Sequence, residues 1–195
     1  VNMQTLPRPA TFSGRQASQV SFEIDSLIAA FKEADVKSYL EIGARHGDTF
    51  HQVMLSLPKG SFGLAVDLPG GAWGKESSRH ALFKAVTDLR RRGYDARYHF
   101  GDSTNPAIIE AVQGLGPYDA ALIDGDHRYR GVKADWLAYG PMARIVAFHD
   151  IAGEGQAWRD LQVQVPKLWN EIKGDHRHAE YIAEGSAMGI GVLWR

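Results

Sequence analysis

Apolar residues recur along this chain in two alternating periods. Val20, Ile24, Leu27, Ile28 and Phe31 fall three or four residues apart, which predicts an amphipathic helix ending near Ala34. A short apolar run at Val36, Tyr39, Leu40 and Ile42 then reads as a buried strand. Phe50, Val53 and Met54 return to helical spacing, with capping oxygens offered by Asp48 and Thr49. The pair repeats. Residues 62–66 read as a second strand ending at Asp67. Leu82, Val86 and Leu89 mark a helix that Ser78 caps and Gly93 stops, and its basic last turn suits the negative helix end. Residues 96–100 form a third strand, and Asn105-Pro106 opens a helix buried through Ile108, Ile109 and Val112. Residues 118–123 form a fourth strand ending at Asp124, followed by a helix over 129–139. Residues 145–148 form a fifth, ending at His149 and Asp150. Leu161, Val165, Leu168, Trp169 and Ile172 continue as a helix that Pro166 kinks or interrupts. Residues 181–182 and 190–194 close the chain as two strands joined by a Gly185-Ser186 turn.

Five strand–helix units in succession argue for an α/β protein with a doubly wound, mainly parallel sheet. Residues 1–19, with Pro7, Pro9 and Gly14, read as an irregular arm, and 20–195 as one domain. Asp67, Asp124 and Asp150 end three strands, and Asp102 lies just beyond a fourth. In open α/β sheets the ligand crevice lies at the carboxyl ends of the strands, so these acids are expected on one edge.

Composition narrows the partners. A net charge of −1 over 195 residues offers no basic excess for nucleic acid. The absence of cysteine excludes disulfides and thiolate metal sites and fits a cytoplasmic setting. No signal-peptide pattern and no apolar run near the ~20 residues of a membrane helix is seen.

The strand-to-helix turn KSYLEIGARHGDT, residues 37–49, carries the first chemistry. A dinucleotide fingerprint would need glycines where Arg45 and Asp48 stand, so that pattern fails. The spacing present is acidic-x-Gly-x-x-x-Gly, which resembles motif I of the class I S-adenosylmethionine (SAM) methyltransferases. Further on, YDAALIDGDHRYRGVKADW and IVAFHDI resemble the small O-methyltransferases related to macrocin O-methyltransferase and the cephalosporin-hydroxylase-like group. The resemblance covers roughly residues 36–195, including the closing MGIGVL. It implies a Rossmann-like, seven-stranded sheet whose last strand is antiparallel.

The resemblance also assigns the cofactor residues. Glu41, Gly43, Ala44 and Gly47 would hold the methionine end of SAM. Asp67 would accept both ribose hydroxyls, and Asp102 and Ser103 would lie beside adenine. Asp124 borders the cofactor and matches the first carboxylate of a divalent-metal site, with His149 and Asp150 supplying the rest. An all-oxygen set suits Mg²⁺; a histidine at 149 favours a borderline metal, and a metal-free alternative makes His149 a base or donor. His127 occupies the place of a lysine base in catechol-type relatives, whereas macrocin-type relatives point to Asp126. The base is thus one of His127, Asp126 or His149. The other histidines read as surface or packing residues. Trp73 and Trp158, beside loops, are candidates to stack on adenine or cover the acceptor.

The implied function is SAM-dependent methylation of a hydroxyl on a small molecule such as a sugar or phenol. Neither nucleic acid nor membrane is an expected partner; a homodimer is one option for the assembly. The alternatives are a SAM-binding module without turnover, or another enzyme on the same fold. An absent G-x-S-x-G elbow weakens the last.

Overall fold

The computed structural model describes residues 20–71, 77–153 and 155–195. Its elements are α1 (Ser21–Glu33), β1 (Ser38–Ile42), α2 (Asp48–Ser56), β2 (Phe62–Asp67), α3 (Ser77–Arg91), β3 (Asp95–Phe100), α4 (Pro106–Gln113), β4 (Tyr118–Ile123), α5 (Tyr129–Tyr139), β5 (Ala143–His149), α6 (Gln156–Asp160), α7 (Val165–Ile172), β6 (Arg177–Tyr181) and β7 (Ile190–Trp194). The amino-terminal arm and Trp73 lie outside the described residues.

The seven strands form one sheet in the order β3-β2-β1-β4-β5-β7-β6. β1 to β5 are parallel, and β7 runs antiparallel to both β5 and β6. The expected doubly wound sheet with an antiparallel last strand is therefore observed. The apolar runs read as strands because both sheet faces are covered. On one face Phe31, Tyr39, Phe50 and Leu82 pack together. On the other Leu40, Ile42, Tyr139, Phe148 and Trp169 do so. Tyr39 and Glu41 thus share the first face, with Leu40 and Ile42 on the second.

The register sets the functional edge. Ile42 pairs with Val66 on one side and Ile123 on the other, and Ile123 pairs with Phe148. The carboxyl ends of β1, β2, β4 and β5 therefore lie side by side. The order reverses between β1 and β4, which is where an α/β sheet opens a ligand crevice.

Three local expectations differ from the structure, and a fourth, at Pro166, is resolved by it. Ser78 lies inside α3, fully buried, and its hydroxyl donates to Asp67 Oδ2 at 3.2 Å; it is no cap. Gly47, not Asp48 or Thr49, occupies the cap position of α2, and Asp48 stands in the first turn. The expected single helix is interrupted rather than kinked at Pro166, with α6 ending at Asp160 and α7 starting at Val165. The proline sits in the first turn of α7, where its missing N–H leaves no bond unmade. β6 spans Arg177–Tyr181, earlier than expected, because an edge strand tolerates the exposed Arg177, His178 and Glu180 that hid its period. Asn105 caps α4 as expected, accepting from the Ala107 N–H at 2.9 Å.

Candidate active site

The turn after β1 is held against two neighbouring strands. The N–H groups of Gly43 and Ala44 donate to the Val66 carbonyl at 2.8 and 3.2 Å, and the Asp124 N–H donates to Ile42 at 2.8 Å. Gly43 has φ +89°, and a Cβ there would collide with the Asp124 carbonyl. Only glycine lets these backbones meet. At Gly47 a Cβ would fall 2.9 Å from Leu82. Arg45 adopts φ +49°, uncommon for a side-chain-bearing residue. Its N–H donates to Asp67 Oδ1 at 2.8 Å, so the turn and the end of β2 are joined through the backbone.

Buried acids ring this cradle. Glu41 is 2% exposed and accepts from the Tyr39 hydroxyl at 2.6 Å. Burial lifts its carboxyl to about 8 despite that bond, helped by the negative charges of Asp124, Asp67 and Asp48. Burial also raises Asp67, while the Arg45 N–H and Ser78 oppose the rise. A cradle closed to Cβ atoms, flanked by one acid at the end of β1 and another at the end of β2, fits a ligand carrying an amino-acid group and vicinal hydroxyls. Asp102 is spent on its own turn, accepting from the Thr104 N–H and hydroxyl at 2.8 and 2.7 Å. Ser103 accepts from the Tyr139 hydroxyl through its carbonyl at 2.5 Å.

A second cluster gathers at the ends of β4 and β5. His127 Nδ1 lies 2.8 Å from Asp150 Oδ2, and its Nε2 lies 3.9 Å from Asp124 Oδ1. His149 Nδ1 lies 3.2 Å from Asp124 Oδ1 and 3.3 Å from Asp150 Oδ1. Burial disfavours the charged form of His127, but the Asp150 hydrogen bond and the Asp124 charge outweigh it and raise the imidazole. The same contest lifts the more deeply buried His149 to about 9, through Asp124, Asp150 and Glu23. Asp150 holds this arrangement with φ +63°.

Donor atoms of Asp124, His127 and Asp150 lie within 4.8 Å of one another. Two carboxylates and one imidazole suit a divalent cation of borderline character. The histidine in that convergent group is His127; the expected metal histidine, His149, sits deeper behind the two acids. The two carboxylates beside it favour its charged form, which disfavours both proton acceptance and metal ligation. Asp126 turns elsewhere. Its carboxylate pairs with the Arg128 guanidinium at 2.6 and 2.8 Å and sits below its usual range, since Arg128 outweighs burial. An ion-paired carboxylate of this kind is a weak proton acceptor. Among the remaining histidines, His51 pairs with Asp88 at 2.8 Å, which is a packing role.

Two acids in this region escape a reading of the sequence alone. Glu23, on α1, is fully buried; Oε1 accepts from the Ala183 N–H at 3.2 Å, and Oε2 has no hydrogen-bond partner among the described residues. Asp135, on α5, is 1% exposed, and burial lifts it to about 7. The available signal was position. Glu23 stands four residues before Leu27 and Asp135 three after Val132, each on an apolar stripe. Trp158 is half-buried against Gly153, 3.3 Å from where a Cβ would lie.

A seven-stranded sheet of this order, with a glycine cradle at its switch point and acids on the neighbouring strand ends, defines the class I methyltransferase fold. Solved structures share it. An O-methyltransferase from Bacillus cereus in complex with SAH has a TM-score of 0.68 at 12% identity, over 97% of this chain and 93% of that one. The O-methyltransferase TomG from Streptomyces achromogenes, involved in tomaymycin synthesis and solved with SAM, has a TM-score of 0.67 at 11% identity, over 94% and 83%. No curated protein matches the chain. The methyltransferase-domain family model matches residues 40–151, from β1 through the end of β5. The chain belongs to that family and is a SAM-dependent methyltransferase.

Proposed function

We propose that this enzyme methylates a hydroxyl oxygen of a small molecule, with His127 as the base that removes its proton. The observation that carries the reading is the 2.8 Å contact between His127 Nδ1 and Asp150 Oδ2. Asp150 fixes the tautomer that protonates Nδ1, which makes Nε2 the basic nitrogen. SAM supplies an electrophilic methyl group on a sulfonium. Glu41, Gly43, Ala44 and Gly47 hold its methionine end, and Asp67 takes the ribose hydroxyls. Ser103, and Asp102 through its backbone turn, border the adenine. Asp124 and His149 balance charge around the base: the imidazolium offsets two carboxylates that would otherwise repel each other. The acceptor oxygen is aligned by the crevice edge, and most of the rate gain comes from that alignment and from proton removal. Residues 20–195 act as one catalytic domain.

The clustering of Asp124, His127 and Asp150 favours a second reading, in which these three hold a divalent metal. Ligation would occupy the His127 lone pair, so the two readings exclude each other. A labelled-methyl assay over a panel of hydroxylated acceptors separates them. In the base reading His127→Ala lowers turnover by ~10²–10⁴ and chelation leaves it unchanged. Loss of turnover on exhaustive chelation, restored by Mn²⁺, establishes the metal reading instead. Parental turnover in both His127→Ala and Asp124→Asn removes the proposed centre altogether.

A further inference from the structure

A cleft of about 780 Å³ opens beside the catalytic loop, between the start of α5 and the α6–α7 connection. Its walls carry Arg128, Arg130, Arg159 and Lys167, with Asp126 as the one acid among its lining residues. Asp126 is already matched. Arg128 grips it with Nε at 2.8 Å and Nη2 at 2.6 Å. Arg130, Arg159 and Lys167 make no ion pair among the described residues. Arg159 donates to the Gln156 side-chain oxygen at 3.0 Å, and Lys167 Nζ sits 4.2 Å from the centre of the Tyr129 ring. All three cationic residues are exposed. Helix α5 also begins here, but its first N–H, from Tyr129, already donates to Gln164 Oε1 at 3.0 Å, so the side-chain cations carry the field.

The surplus selects the ligand. One carboxylate is satisfied by one guanidinium, as Asp126 is by Arg128. Three further cations match an anion with more oxygens and more charge, which is a phosphate ester or a diphosphate. The cleft and the proposed base share one piece of backbone. His127 stands between Asp126 and Arg128, and its carbonyl accepts from the Gln164 N–H at 2.7 Å. Asp126 and Arg128 line the cleft on either side of His127 in the chain, with neighbouring Cα atoms ~3.8 Å apart, so the cleft adjoins the loop that carries the proposed base. The volume suits a small ligand. The chain as a whole carries a charge of −1, so this positive cleft is a local feature.

We propose that the acceptor is a phosphorylated small molecule, its phosphate held by Arg130, Arg159 and Lys167 while its hydroxyl is presented to His127. This identity of the acceptor rests on the methyl-transfer reading above; the anion site itself does not. Two arms test it on the full chain. In the first, calorimetry measures inorganic pyrophosphate binding to the wild type and to the triple variant Arg130→Gln, Arg159→Gln, Lys167→Gln. Binding is expected to weaken with added salt and to fall at least ~10-fold in the triple variant, with SAM affinity and melting temperature unchanged. In the second, matched hydroxylated compounds with and without a phosphate are compared as acceptors. The phosphorylated member is expected to be preferred, and its KM to rise ~10-fold in the triple variant.

Absent pyrophosphate binding, or equal binding by both proteins, overturns the site. Preference for unphosphorylated acceptors with the same KM in both proteins overturns it too, and leaves methyl transfer intact. Short single-stranded RNA bound more tightly than pyrophosphate, and methylated, overturns the small-molecule occupant. Pyrophosphate binding that is lost in the triple variant, with no acceptor methylated, upholds the anion site and overturns the transfer reading.

Discussion

Glu41 is a buried acid whose ionisation opposes folding, and Glu41→Gln measures by how much. The ordinary carboxyl value of 4.5 rises to about 8 in the folded chain. Below 4.5 both states hold the proton, and the group costs nothing. Between 4.5 and about 8 the unfolded chain releases the proton and the folded chain keeps it. Native stability therefore falls as pH rises through this window and levels off above it. At 1.36 kcal/mol per pH unit, going from about pH 5.5 to about pH 8 removes about 3 kcal/mol from the wild type through this group alone. Glutamine keeps the shape and can still accept from the Tyr39 hydroxyl, which Glu41 now does at 2.6 Å. It cannot ionise, so the variant escapes the loss. Urea unfolding at the two pH values should show the variant gaining about 3 kcal/mol on the wild type between them. Comparing the two proteins at each pH cancels the groups they share. A gap that stays constant within ~0.5 kcal/mol would refute the reasoning. The same physics bears on the cofactor. An ammonium placed beside Glu41 favours its ionised form, so SAM binding near pH 7 should release up to one proton. Calorimetry in buffers of different ionisation heat reads that number directly.

Asp67→Ala should weaken SAM by roughly 1.5–3 kcal/mol, the range for hydrogen bonds to a charged group. Calorimetry on the folded variant checks this, and unchanged affinity would remove the ribose assignment. Gly43→Ala combines a positive φ with a Cβ driven into the Asp124 carbonyl, so it must part β1 from β4 at the crevice. A loss of at least ~2 kcal/mol in unfolding, together with loss of SAM binding, is expected; a variant as stable as the parent would mean that the two backbones are not held in contact.

Periodicity was enough to place β1 to β5, because they are covered on both faces and read as apolar runs. The acids at their ends followed, since a parallel sheet aligns its carboxyl termini. β6 was misplaced because an edge strand answers to solvent as much as to the core, so its alternation is faint. The site was legible only in part. Aspartates and histidines stand together in the segments around 124–127 and 149–150, but spacing along the chain does not say which imidazole faces the crevice. Packing decides: His127 is turned to Asp150, while His149 lies behind two carboxylates. Glu23 looked like one more polar residue on an amphipathic helix. Its backbone partner, Ala183, lies 160 residues away in sequence. Asp126 is a candidate base only through the resemblance to macrocin-type relatives, and in the fold its carboxylate pairs with Arg128 at 2.6 Å. Short-range chemistry is written in residue order and can be read there. Burial and charge balance depend on which distant segments meet, and those meetings exist only in the folded chain.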